Sequence, residues 1–132
     1  MRRRANVLLV VLLASAVARA DSVVGQGMAP VAAGDVDAAR ARAIDEALRR
    51  TVDDVVRSLV APEYREAHDE VIRKRILRAA RTYVSKFRIL DEQAISGSYL
   101  VHVLADVPDE RLRRDLVELG VLGRVKGAAP SE

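Results

Sequence analysis

Apolar residues recur at helical spacing from Asp35 to Val60, at Ala39, Ala43, Ile44, Ala47, Leu48, Val52, Val55, Val56 and Leu59. Steps of three and four place them on one face of a 3.6-residue helix. The opposite face carries Arg42, Asp45, Glu46, Arg49, Arg50, Asp53, Asp54 and Arg57. Asp45–Arg49, Glu46–Arg50 and Asp53–Arg57 each set an acid four residues before a base, the favoured order for ion pairs on a helix surface. Asp35, just after Gly34, is placed to cap the first free N–H groups, and Pro62 predicts a stop at Ala61. A helix with one apolar face needs a layer to cover.

The flanking segments supply that layer. Ser22 to Val31 reads as an extended first strand with a bend, and Ala32-Ala33-Gly34 as its exit loop. The strand's alternate glycines, Gly25 and Gly27, allow either a bulge or a close backbone approach. Ala61 to Arg65 predicts a break. A second helix is expected from Glu66 to Ala80, with Val71, Ile72, Ile76, Leu77 and Ala80 as its buried stripe. Tyr83 to Leu90 and Tyr99 to Val107 then predict two strands joined by the turn Ile95-Ser96-Gly97-Ser98. In the second strand Tyr99, Val101, Val103, Ala105 and Val107 share one side, and Leu100, His102, Leu104 and Asp106 the other. Asp109 to Leu119 predicts a short last helix, with Gly120 as its left-handed cap and Val121 as the accompanying hydrophobic contact. The order β-α-α-β-β-α makes one α+β domain over residues 21–122, an antiparallel hairpin sheet covered by two helices. Residues 123–132 read as a flexible tail.

The first twenty residues stand apart from that domain. Arg2, Arg3 and Arg4 precede the apolar run Val7 to Val17, and Ala18-Arg19-Ala20 fits a signal-peptidase site. Residues 1–20 are therefore expected to be a secretory signal, with the protein periplasmic or secreted. The run is short for a membrane span, and retention as an anchor is the alternative. No cysteine follows the run, which excludes lipid attachment there. Removing Arg2, Arg3, Arg4 and Arg19 from the 22 basic residues leaves 18 against 19 acids, a net charge of −1 for the exported chain. The precursor's net +3 thus says little about partners, and a nucleic-acid role loses its basic footprint. No membrane span is expected once the signal is gone.

With no cysteine in the chain, neither a disulfide framework nor a thiolate metal site is available. The two histidines have weak surroundings. His68 lies with Glu66 and Asp69 at a helix start, where exposed polar residues are ordinary. His102 and Asp106 share a strand face but sit about 13 Å apart, too far for a dyad. Ser58, Ser85, Ser96 and Ser98 lack the glycine context of a nucleophile elbow. Gly25 and Gly27 lack the lysine and the following helix of a phosphate loop. No catalytic, cofactor or metal residues are expected, and the chain is read as no enzyme. A basic cluster remains at Arg73, Lys74, Arg75, Arg78, Arg81, Lys86 and Arg88. It reads either as a solvated helix face running into a strand or as a patch for an anionic partner.

Several stretches together resemble a known family. They are Gly25-Gln26-Gly27, the helix pairs Ala39-Arg40, Ala43-Ile44 and Ala47-Leu48, and the ending Leu59-Val60. Tyr83-Val84, the strand Tyr99 to Val107, and Leu112 to Leu119-Gly120-Val121 complete the pattern. Over residues 22–122 the chain resembles the N-terminal domain of flagellar assembly protein T, a periplasmic domain akin to small envelope lipoproteins. The resemblance implies a noncatalytic envelope component that builds or stabilises a ring around the flagellar basal body. The expected function is an exported assembly or protein-interaction module whose partners are envelope or basal-body proteins, with a homo-oligomer compatible. The alternative is a module binding an anionic envelope polymer through Arg73, Arg75, Arg78, Arg81 and Arg88. Tyr99 and His102 are the candidate contacts on the last strand, and an open strand edge could pair with another chain.

Overall fold

The computed structural model describes residues 22–123. The expected signal at 1–20 and the tail beyond residue 123 lie outside the described residues. Strand β1 (Ser22–Pro30) leads into helix α1 (Val36–Leu59), followed by two short helices, α2 (Pro62–Ala67) and α3 (Asp69–Arg75). A 3₁₀ segment, Leu77–Tyr83, precedes β2 (Lys86–Ile95), β3 (Ser98–Asp106) and α4 (Asp109–Glu118). The three strands form one antiparallel sheet in the order β1-β3-β2. The last strand is therefore the central one, and β1 and β2 are its two edges. This is the α+β class that the hydrophobic pattern predicts.

Helix α1 begins where its cap residue demands. Asp35 accepts the Ala38 N–H at 3.0 Å. Its face of Ala39, Ala43, Ile44, Ala47, Leu48, Val52, Val55 and Val56 is buried against the sheet. Of the two readings open for the β1 glycines, close approach is the one realised. β1 pairs with β3 in unbroken register, with no bulge. A Cβ on Gly27 would lie 1.9 Å from the Ala43 carbonyl oxygen, and one on Gly25 would lie 2.5 Å from that of Ala47. Small residues at every fourth helix position (39, 43, 47 and 51) thus meet glycines on the strand, and the two backbones touch. Thr51 is buried in the same seam, with its hydroxyl donating to the Leu48 carbonyl at 2.7 Å.

The helix expected over Glu66–Ala80 is broken into three pieces. Pro62 does not extend a break; it opens α2, because the first turn of a helix needs no N–H from that position. His68 (φ −115°, ψ 16°) separates α2 from α3, and Ile76 (φ −106°, ψ −61°) separates α3 from the 3₁₀ segment. Leu77, Ala80 and Tyr83 are all buried, and the segment that carries them is itself kinked at Ala79 (φ −104°, ψ 30°), so tight turns and not one regular helix bring the three side chains to the core. Tyr83 consequently belongs to this turn and not to a strand, and β2 starts at Lys86.

α4 ends as its sequence predicts. Val121 N–H reaches the Leu116 carbonyl at 2.9 Å, Gly120 N–H reaches that of Val117 at 3.0 Å, and Gly120 has φ 76°. This six-to-one and five-to-two pattern buries Val121 under the helix end. Of the expected surface pairs, Glu46–Arg50 and Asp53–Arg57 form, each at 3.2 Å. Asp45 instead turns to Arg81 at 2.7 Å, tying α1 to the 3₁₀ segment.

Candidate functional site

Among the described residues, helices pack on one face of the sheet only. On that face Tyr99, Val101, Val103 and Ala105 of β3 are buried. The other face is open and is built as rungs across the three strands. Val24, Leu104 and Arg88 make one rung; Gln26, His102 and Asp91 the next; Met28, Leu100 and Gln93 the third. Two apolar rungs thus flank a polar one. Val24 is 56% exposed and Met28 55%, high values for strand hydrophobics beside a packed core. His102 Nδ1 lies 3.6 Å from Asp91 Oδ2 across the strands. At the sheet's end, Asp106 accepts from the Ser22 hydroxyl at 2.5 Å and lies 3.6 Å from Lys86 Nζ, joining all three strands. A shallow hollow of about 300 Å³ beside it is lined by Ser22, Lys86, Arg88 and Leu104.

The candidate contacts from the sequence separate here. His102 is on the open face. Tyr99 is not: it points the other way, is only 8% exposed, and belongs to the core. Its odd-numbered strand position puts it with Val101 and Val103, so it cannot be a surface contact. The basic cluster is divided as well. Arg73 and Arg78, with Arg49, Lys74 and Leu77, line a groove of about 410 Å³ between α1 and the α3–3₁₀ stretch. Arg75 borders a different hollow beside His68 and Val71. Arg81 is bound to Asp45 and lies over the Phe87 ring at 6.0 Å. Arg88 is across the sheet, on the open face. Three of the groove cations hold carboxylates already: Arg49 with Glu46, Arg73 with Asp69, and Lys74 with Glu70. Arg75, Arg78 and Arg88 form no salt bridge among the described residues.

A cavity of about 580 Å³ lies where α1 meets α2 and is lined by Arg57, Val60, Pro62, Arg65, Glu66 and Asp69. Arg65 gives one arm to Asp53 at 2.5 Å, while its buried Nη1 finds no partner among the described residues. His68 Nδ1 faces the Tyr64 carbonyl at 2.7 Å and is no part of a ligand set. No group of three or more His, Asp or Glu side chains able to hold a metal exists among the described residues. No helix among them is long and apolar enough to cross a membrane.

One titrating group is displaced by its packing. Burial, then the hydrogen bond donated to Asp115 at 2.7 Å, pushes the Tyr83 phenol up to about 12. The unfolded phenol titrates near 10, so the folded state holds its proton more tightly. The stabilisation is complete below pH 10 and is lost as pH rises from about 10 to about 12. Tyr83→Phe is expected to remove that part of the alkaline loss of stability, measured as denaturation midpoints from pH 9 to 12. An unchanged pH profile in the variant would count against the bond.

The partner of His102 across the strands carries no local signal in the sequence. Asp91 stands opposite His102 only because the register slips by one at Leu90. No family model, curated protein or solved structure matches the chain.

Proposed function

We propose that this chain is a non-catalytic, exported assembly module of the cell envelope that docks another envelope protein on its open sheet face. One observation supports the reading. A sheet packed on one side leaves Val24, Met28, Leu100 and Leu104 in two apolar rungs on the other. Exposed apolar side chains of this size, set on either side of a polar strip, are what interaction sites present. The central Gln26–His102–Asp91 rung supplies hydrogen-bonding groups that would fix a partner's orientation. The fitting partner presents apolar side chains on either side of a polar strip. Ring components of the flagellar basal body are the first candidates, because that is the assembly the resemblance implies.

A second reading, binding of an anionic envelope polymer, draws on the groove of Arg49, Arg73, Lys74 and Arg78. The carboxylates already bound to three of these side chains weaken it relative to the sheet face. Binding that collapses between low and moderate salt and depends on Arg78 would favour the polymer.

A photo-crosslinking residue at Leu104 or Met28, against one at the exposed Ala41 of α1, tests the first reading in full-length chain expressed in its own envelope. The sheet positions are expected to trap one and the same envelope protein, and Ala41 none. Leu100→Glu, which sets a charge among the apolar rungs, is expected to cut the adduct about tenfold. Equal trapping from Ala41, or no adduct from the sheet, would overturn the docking face.

A further inference from the structure

The two edges of the sheet are built differently. β2 carries the devices that keep strands from pairing: a register slip at Leu90 and the charges Lys86, Arg88, Asp91 and Glu92. β1 carries none of them. Ser22–Pro30 is uncharged, and its nine residues keep one register with β3. No described element pairs with its outer side.

The direction of its free backbone groups follows from one bond. Val31 N–H donates to the Gly97 carbonyl at 2.8 Å, and this pair continues the β1–β3 register. Because antiparallel strands alternate, Ala29, Gly27, Gly25 and Val23 turn their backbone toward β3. Val24, Gln26 and Met28 therefore turn theirs outward. Pro30 falls in the outward set, where its missing N–H costs no ladder bond. Arg42 Nη2 donates to the Pro30 carbonyl at 3.2 Å and so closes that end. The open ladder runs from Ser22 to Met28, and its part symmetric about Gln26 is Val24 to Met28.

We infer that this edge joins a second copy of the chain across a two-fold axis at Gln26. This part of the open ladder, Val24-Gly25-Gln26-Gly27-Met28, reads nearly the same in both directions: apolar, glycine, glutamine, glycine, apolar. An isologous contact requires that self-complementarity. Antiparallel pairing about Gln26 sets Gln26 against its own copy and Val24 against Met28 on both sides. Each of these pairs can exchange two N–H to C=O bonds. The half-exposed Val24 and Met28 then cover each other, and the apolar rungs run on from one copy to the next. A peptide from another protein could use the same backbone groups, but nothing in its sequence would need to mirror this one. Val24, Gln26 and Met28 serve both readings, their side chains on the open face and their backbone groups on the edge. The tests stay distinct because sedimentation of the purified chain reads self-association and crosslinking in the envelope reads a different protein.

Sedimentation of the exported full chain over a concentration series decides the point. The wild type is expected to pass from monomer to dimer. Gln26→Pro removes an outward N–H and fills the edge, while leaving the β1–β3 bonds in place as Pro30 does. It is expected to stay monomeric with an unchanged circular dichroism spectrum. Should that variant fold poorly, a charge swap replaces it. Gln26→Lys alone and Gln26→Glu alone bring like charges together and weaken the dimer several-fold, and mixing the two restores it. A wild type that stays monomeric at every concentration would overturn the inference. So would a dimer indifferent to Gln26→Pro and to the charge swap.

Discussion

Gly27→Ala is expected to cost the domain about 3 kcal/mol or more, for the addition of one methyl group. The new Cβ would sit 1.9 Å from the Ala43 carbonyl oxygen and 2.5 Å from the Ala47 nitrogen. Both are backbone atoms in the middle of α1. Neither can rotate aside as a side chain would. Relief requires lifting the helix from β1, and that movement pulls Ala39, Ala43 and Ala47 out of contact along the whole seam. Close-packed interiors lose dispersion contacts steeply over such gaps. The overpacking cost and the opened seam therefore add. Gly123→Ala is the control: nothing lies within 4 Å of a Cβ there, and its stability is expected to stay within about 0.5 kcal/mol of wild type. Urea denaturation of both variants measures the difference. A Gly27→Ala loss below about 1 kcal/mol would mean that helix and strand are not in contact as described.

That seam shows how far the sequence could be read. Two glycines on alternate strand positions stated that something approaches closely, and the small residues of α1 stated which surface could. Joining the two statements required the strand to lie beneath that helix, which neither segment shows alone. The boundaries of α1 and β3, the Asp35 cap and the Gly120–Val121 ending were legible because each rests on local chemistry. The Pro62–Tyr83 stretch was not. An apolar pattern at steps of three and four serves an α-helix and an α-helix broken into 3₁₀ equally well, and the choice is made by where Ile72, Ile76, Leu77 and Tyr83 must reach.

The candidate site divides along the same line. His102 was placed on the right face by strand alternation, and the same alternation should have removed Tyr99. The open face as a whole was hidden for a different reason. Nothing in a strand's own residues says whether its second face will be covered, so Val24 and Met28 gained meaning only once β1 was set beside β3. The basic cluster failed as a single patch because neighbours in sequence leave a twice-broken helix in different directions. Arg88, beyond the turn, comes out on the far side of the sheet.

Ile76→Ala is expected to have the second largest effect, about 3 kcal/mol. Ile76 has no exposed surface and ranks among the largest fully buried side chains. It stands at the junction where α3 gives way to the 3₁₀ segment, with its N–H on the Ile72 carbonyl at 2.9 Å. Few other groups can hold this stretch down. α2 buries no residue at all, and α3 buries only Ile72. Truncation leaves a void beneath a segment already interrupted on both sides. The backbone could collapse into that void only by giving up the turn that brings Tyr83 to Asp115. The loss should therefore appear in two readouts. The denaturation midpoint falls at unchanged slope, and the amide protons from residue 72 to 84 exchange faster than those of the β1–β3 ladder. Ile76→Val, which keeps most of the volume, is expected to lose about 1 kcal/mol. Leu90→Ala, at a side chain 45% exposed on the edge strand, should cost less than about 0.5 kcal/mol. If Ile76→Ala proved as mild as Leu90→Ala, the stretch would be resting on the domain rather than forming part of its core. The irregular path from Pro62 to Tyr83 would then need a cause other than the burial of these few side chains.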